Sequence, residues 1–124
     1  MILLDTSAWI EFFNGSIAGE KVKQLLASET NYTSAISIAE VAKWAKQNGK
    51  DVDTYNEALK INSQIIPVEE YALKEAGMKY LELRKISKDI GMIDVIIYTT
   101  AQLHGLELIT HDSDFAKMEK VEVI

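Results

Sequence analysis

Cysteine is missing altogether from this 124-residue chain. Disulfides and thiolate metal sites are therefore excluded, and the redox compartment stays undetermined. No apolar run approaches the roughly 18 residues of a membrane helix. No basic stretch precedes the short apolar start, so no signal peptide is read; a cytoplasmic location with no membrane partner is expected. No Gly-rich phosphate loop is present, which disfavours a nucleoside triphosphate as ligand. Arginine occurs once, as Arg84, among 13 basic residues, and the formal net charge is −6. That balance argues against holding nucleic acid by bulk electrostatics, but not against an enzyme that gathers carboxylates to hold cations. Internal repeats, low-complexity segments and linkers are also lacking. The hydrophobic fraction of 48% and charged fraction of 26% are ordinary for a globular protein, and one domain over residues 1–124 is expected.

The first eight residues, Met1-Ile2-Leu3-Leu4-Asp5-Thr6-Ser7-Ala8, organise the rest. A continuous apolar run ending in an acid suits a strand buried on both faces, with Asp5 at its carboxyl end. Sites in open α/β sheets lie at that end of the strands. A helix follows from about Ser7 to Phe13 and stops at Asn14-Gly15; a second runs from about Ala18 to Ala27. Asn31 to Ile36 is a short strand candidate, and Ser37-Ile38-Ala39-Glu40 opens a helix ending at Asn48-Gly49. A fourth helix covers about Val52 to Asn62. Ile65-Ile66-Pro67-Val68 is the third strand, with Pro67 marking its end because proline cannot donate to a ladder. A long helix from about Glu69 to Lys85 is expected to place Leu73, Ala76, Gly77, Tyr80, Leu81 and Arg84 on one side. Met92 to Leu103 reads as a buried helix, Leu106 to Ile109 as the fourth strand, and Val121 to Ile124 as the last. Strands separated by helices predict a parallel α/β sheet of four to five strands with right-handed crossovers.

In such a sheet, strand carboxyl ends and helix amino ends share one edge. Asp5, Glu40, Asp94, Asp112 and Asp114 then line one rim. Gathered carboxylates repel one another unless a divalent cation neutralises them, and hard oxygen ligands select Mg²⁺ or Mn²⁺. Each acid also has a plainer reading. Ser37-x-x-Glu40 matches a capping box, Asp94 suits a helix dipole, and Asp112 and Asp114 suit a turn. Asp5 resists such a reading, because a carboxylate after a buried strand is costly without partners.

These residues resemble the PIN domain, and within it the small VapC-type toxins of prokaryotic toxin–antitoxin pairs. The resemblance rests on Leu4-Asp5-Thr6-Ser7, Ser37-x-x-Glu40, Asp94-x-x-Ile97 with Ala101, and Thr110-x-Asp112-x-Asp114-Phe115. Pro67 and a helix ending Tyr80-x-x-Leu83-Arg84 extend it over essentially the whole chain. It implies a three-layer α/β/α sandwich and an Mg²⁺- or Mn²⁺-dependent endoribonuclease using one or two ions. Asp5, Glu40, Asp94 and Asp112 match the family's metal-binding acids, and Asp114 matches a more variable one. Thr6, Ser7 and Thr110 match supporting hydroxyls. His111 reads as a surface loop residue. The resemblance also implies a homodimer and a cognate antitoxin seated in a groove near the site, for which Trp9, Phe12 and Phe13 are candidates unless they belong to the core. Trp44 and Tyr55 are candidate dimer contacts.

Three functions follow. The first is metal-assisted hydrolysis of an RNA phosphodiester, with Arg84 as a candidate RNA contact beside Lys43, Lys46, Lys50, Lys85 and Lys88. The second is a non-catalytic module whose acidic rim docks a basic peptide. The third is phosphoryl transfer through Asp5 as nucleophile; Ser7 stands where such phosphatases carry a second acid, and Glu40 is unexplained by that scheme.

Overall fold

A computed structural model of the chain describes residues 1–124. Its five strands are β1 (Ile2–Leu4), β2 (Asn31–Ser34), β3 (Gln64–Ile66), β4 (Glu107–Thr110) and β5 (Val121–Val123). All pair in parallel, in the order β3-β2-β1-β4-β5. The helices are α1 (Thr6–Asn14), α2 (Ile17–Ser28), α3 (Ile36–Gln47), α4 (Val52–Asn62), α5 (Glu70–Ile86) and α6 (Met92–Leu103), with a short 3₁₀ turn over Ser113–Phe115. None is long and apolar enough to cross a membrane.

β1 holds the middle of the sheet. Ile2 faces Asn31 on one side and Glu107 on the other, and Leu4 faces Ile109. The ladder continues one residue past the strand, where the Asp5 amide donates to the Ile109 carbonyl at 2.9 Å. β1, β2 and β4 therefore end on one level, which fixes the edge where their following residues gather.

Alternation along the strands builds two cores. Ile2, Leu4 and Ile109 pack with Ala8, Trp9, Val22, Val41 and Leu59 under α1 to α4. Leu3, Leu108 and Ile66 point the other way, into a core completed by Val95, Ile97 and Phe115. Strands covered on both faces need apolar residues at every position, which is why Ile2-Leu3-Leu4 shows no polar alternation. Helices on both faces make the expected three-layer α/β/α arrangement.

Two glycines shape the first layer. Gly15 ends α1 in the left-handed region at φ 65°, where its lack of Cβ is useful. Gly19 lets α2 press onto α1: a Cβ there would lie 2.1 Å from the Glu11 carbonyl oxygen.

Several sequence expectations need correction. β2 stops at Ser34 and α3 begins at Ile36, so Ser37 lies inside the helix and does not cap it. β3 begins at Gln64 and ends at Ile66, directly before Pro67. The inner face of α5 is carried by Ala72 and Ala76, with Tyr80 and Leu83 half-buried; Leu73 and Leu81 point to solvent, 44% and 73% exposed. Small alanines let this helix sit close, so its larger residues were misleading guides to its buried side. Trp9 is fully buried and donates its Nε1 to Thr33 Oγ1 at 3.0 Å. It therefore lines no surface groove.

Candidate active site

Asp5 leaves β1 and occupies the N-cap position of α1, yet its side chain makes no cap. Its Oδ2 instead accepts from Ser7 Oγ and from Thr110 Oγ1, each at 2.8 Å. A hydroxyl has one proton to give. Both are spent on Asp5, so the 3.1 Å contact between Ser7 and Thr110 carries none. Each hydroxyl is oriented in turn by an amide: His111 donates to Ser7 Oγ at 2.9 Å and Asp112 to Thr110 Oγ1 at 3.0 Å. The end of β4 thus supplies both the hydroxyl that holds Asp5 and the amides that aim the pair. Asp5 is 3% exposed. Burial pushes its carboxyl above the usual range, the two hydroxyls and the Thr6 amide oppose that shift, and Glu40 adds a smaller repulsion; burial wins.

Glu40 faces this group from the second turn of α3. Thr6 has one proton and two acceptors in reach, Ser37 Oγ at 2.9 Å and Glu40 Oε1 at 2.6 Å. The carboxylate is the stronger acceptor and takes it. Glu40 is thus held by Thr6, not by the Ser37 amide that a capping box would require.

Asp94 stands at the third position of α6, where its Oδ2 accepts from the Gly91 amide at 3.0 Å. That is one half of a capping box. Burial raises its carboxyl, and repulsion from Asp5, Asp112 and Asp114 adds to the shift against the Gly91 bond. Asp112 follows β4 and accepts from the Asp114 amide through Oδ1 at 2.9 Å, starting the 3₁₀ turn. Asp114 is also raised, by desolvation and then by Asp112 and Asp89. The structure therefore brings all five expected acids to one rim. It adds Asp89, which lies in the irregular connection before α6; no periodicity marks it in the sequence.

Two properties define the rim. None of the five acids takes part in an ion pair; those of the chain lie elsewhere, at Met1–Glu29, Lys21–Glu122 and Lys60–Glu57, while the His104 and His111 rings lie 3.9 and 3.6 Å from Glu69 and Glu11. In addition, Asp5, Glu40, Asp94 and Asp112 are each pinned through one carboxylate oxygen, while the other receives no side-chain donor. Oriented, hard and uncompensated oxygen donors fit Mg²⁺ or Mn²⁺. No three acids or histidines yet converge closely enough to hold an ion as they stand.

The other expected residues fall around this centre. The exposed His111 has Nδ1 2.8 Å from the Ile124 carbonyl and serves the site only through its backbone amide. An open groove of about 480 Å³ between α2 and β5 is bordered by His111, the residue before Asp112; Ile17, Val123 and Ile124 are among its other lining residues. Phe12 and Phe13 are half-buried, and Phe13 packs on Trp44 and Tyr55 with ring centroids 5.8 and 4.8 Å apart. Arg84 lies on the last turn of α5, bonded to Tyr80 and to the Ile90 carbonyl just before Gly91.

A family model described as PIN domain matches residues 2–121. The chain belongs to the PIN domain family. Its relatives include VapC ribonuclease Mb1587 of Mycobacterium bovis, to which this PIN domain is 30% identical over 128 residues, covering 98% of this chain and 93% of the relative. Among solved structures, it is similar to a chain of a toxin–antitoxin complex from Klebsiella pneumoniae, with a TM-score of 0.75, 32% identity, and coverage of 99% and 97% of the two chains. It also shares its fold with VapC20 of Mycobacterium tuberculosis, a sarcin–ricin loop cleaving toxin, at a TM-score of 0.78, 19% identity, and coverage of 99% and 98%.

Proposed function

We propose that this PIN domain is a divalent-cation-dependent endoribonuclease, the toxin of a type II toxin–antitoxin pair. One observation carries the reading. Four carboxylates from distant stretches of chain are each anchored by one oxygen and offer the other to a rim that no protein cation neutralises. The kinship with VapC ribonucleases and with a toxin–antitoxin complex supports the RNA substrate and the partner class.

Asp5, Glu40, Asp94 and Asp112 would hold one or two Mg²⁺ or Mn²⁺ ions, with Asp114 at the margin. When bound, such an ion supplies Lewis-acid stabilisation of charge on the phosphate and acidifies water there. The chain's own contribution is orientation. Ser7 and Thr110 fix the rotamer of Asp5, Thr6 fixes Glu40, and Gly91 fixes Asp94, so the free oxygens are aimed before any ligand arrives. The buried setting of Asp5 argues against a nucleophilic role, since its Oδ2 is already claimed by two hydroxyls. For the antitoxin, the groove beside His111 supports docking next to the rim: Ile17 in its wall is 94% exposed. For a homodimer, the solvent face of α5 is the favoured surface, with Met78 69% and Leu81 73% exposed.

The test is incubation of total bacterial RNA with the purified protein, with Mg²⁺, Mn²⁺ or EDTA. Cleavage is expected only with the cation, and Asp94→Asn is expected to abolish it while the fold survives. Full cleavage by Asp94→Asn, or cleavage in EDTA, overturns the reading. The rim's failure to form a closed cage unaided favours one other reading, a docking module for a basic peptide. That reading gains if neither cation shifts the melting temperature and no RNA is cut.

A further inference from the structure

Arg84 is the only guanidinium in the chain, and it stands at the lip of an anionic rim without pairing with any acid in it. Its Nη1 donates to the Tyr80 hydroxyl at 2.7 Å and to the Ile90 carbonyl at 3.4 Å. Its planar group lies 5.6 Å from the centroid of the Tyr80 ring. Ile90 is fully buried, and Gly91, the next residue, is the amide that Asp94 holds. The exposed arginine is therefore tied to the same short connection that positions a rim acid. Only one of its three nitrogens is used; Nε and Nη2 have no partner in the chain. Asp89 lies one residue before Ile90, yet forms no ion pair with Arg84. Lys85 and Lys88, exposed in the same stretch, are equally free of carboxylate partners.

We propose that Arg84, held by Tyr80 and the Ile90 carbonyl, is a substrate-binding residue that grips a backbone phosphate of the substrate strand beside the carboxylate rim. The inference rests on the ribonuclease reading above. A chain with net charge −6 and a bare acidic rim repels a polyanion at the place where it must bind. A local cation beside the rim is what offsets that repulsion. A guanidinium suits the task better than the neighbouring ammonium groups, because its free fork can take two phosphate oxygens at once and its tether reduces the entropy lost on binding. No ion pair neutralises Arg84, and its two hydrogen bonds occupy Nη1 alone.

The alternative is that Arg84 only clamps the connection between α5 and α6. The two roles separate on salt dependence. A phosphate contact releases counterions, and its removal lowers the slope of log affinity against log salt by about 0.7 to 0.9; loss of a clamp does not. Binding of a short fluorescein-labelled mixed-sequence RNA is measured by anisotropy in the Asp94→Asn background, and cleavage of total bacterial RNA in the active one. Arg84→Gln is expected to weaken binding and raise KM by about 10- to 100-fold with kcat little changed, the size of a lost charge-assisted pair, and to reduce the salt slope. Arg84→Lys is expected to keep the slope while recovering only part of the affinity. Tyr80→Phe, which frees the guanidinium without removing charge, is expected to weaken binding less and leave the slope intact. An unchanged slope in Arg84→Gln overturns the inference. Should Arg84→Gln melt early, Arg84→Lys decides, and wild-type affinity in that variant overturns the bidentate grip. Wild-type protein that cuts no RNA under Mg²⁺ or Mn²⁺ brings down the ribonuclease reading and this inference together. Cleavage by the wild type with equal KM and slope in Arg84→Gln brings down this inference alone.

Discussion

Thr110→Val is the sharpest probe of how the rim is held. Thr110 is fully buried, and its hydroxyl both donates to Asp5 and accepts from the Asp112 amide. Valine keeps the shape and removes both bonds. A hydrogen bond to a charged group contributes about 1.5–3 kcal/mol and a neutral one about 0.5–1.5 kcal/mol. The expected loss is therefore about 2–4.5 kcal/mol. At roughly 4 °C per kcal/mol for a domain of this size, the melting temperature falls by about 8–18 °C. Thr110→Ser keeps the hydroxyl and loses one methyl, at a cost of about 1 kcal/mol, or roughly 4 °C. Thermal and urea unfolding near neutral pH, followed by circular dichroism, reads both variants. The gap between valine and serine narrows in acid, where Asp5 takes up its proton and the bond loses its charge. A Thr110→Val protein that melts within about 2 °C of wild type, or a Thr110→Ser protein that loses as much as Thr110→Val, refutes the account.

Burial raises the Asp5 carboxyl, so the folded chain holds that proton more tightly than the unfolded chain; the stability it brings is complete below the unfolded pKa and is lost as pH rises through the folded one. Asp5→Asn retains an acceptor for both hydroxyls and escapes that loss, so in EDTA its melting temperature should gain on wild type as pH rises above the ordinary carboxylate range. Millimolar Mn²⁺ should then stabilise only the wild type, and a gap that ignores pH would show that burial does not govern Asp5. Gly19→Ala places a Cβ against the Glu11 carbonyl. It should cost about 2 kcal/mol net in urea unfolding, overpacking outweighing a helix-propensity gain of about 1 kcal/mol; an unchanged midpoint would mean that α1 and α2 separate freely.

The legible parts of this molecule are those where a local rule and the global topology agree. Ile2-Leu3-Leu4 announced a strand covered on both faces, and its central place delivers Asp5 to the site. Hydroxyls at Thr6, Ser7 and Thr110 were legible as companions of the acids, but not their division of labour, Thr6 serving Glu40 and the other two serving Asp5. That division depends on a register between residues about a hundred positions apart, which no local pattern encodes. Ser37 misled because a serine three before a glutamate imitates a cap, while Ala35 and Ile36 had already entered the helical turn. α5 misled because its buried stripe is made of alanines, which carry little hydrophobic signal. Asp89 gave none, lying where the chain has no period.

The central position of β1 also sets a timetable. β1 is made first, but one of its two neighbours, β4, is residues 107–110. The Asp5–Thr110 bond closes a loop of 105 residues, and the Asp112 and Asp114 carboxylates follow later still. Contacts so distant in sequence form late, after the entropy of a long loop has been overcome. On a ribosome, β1 must wait until residues 107–110 have emerged for the strand that completes its flank. The acidic centre therefore cannot assemble before residues 107–114 are made, and whatever chemistry it performs begins only after them.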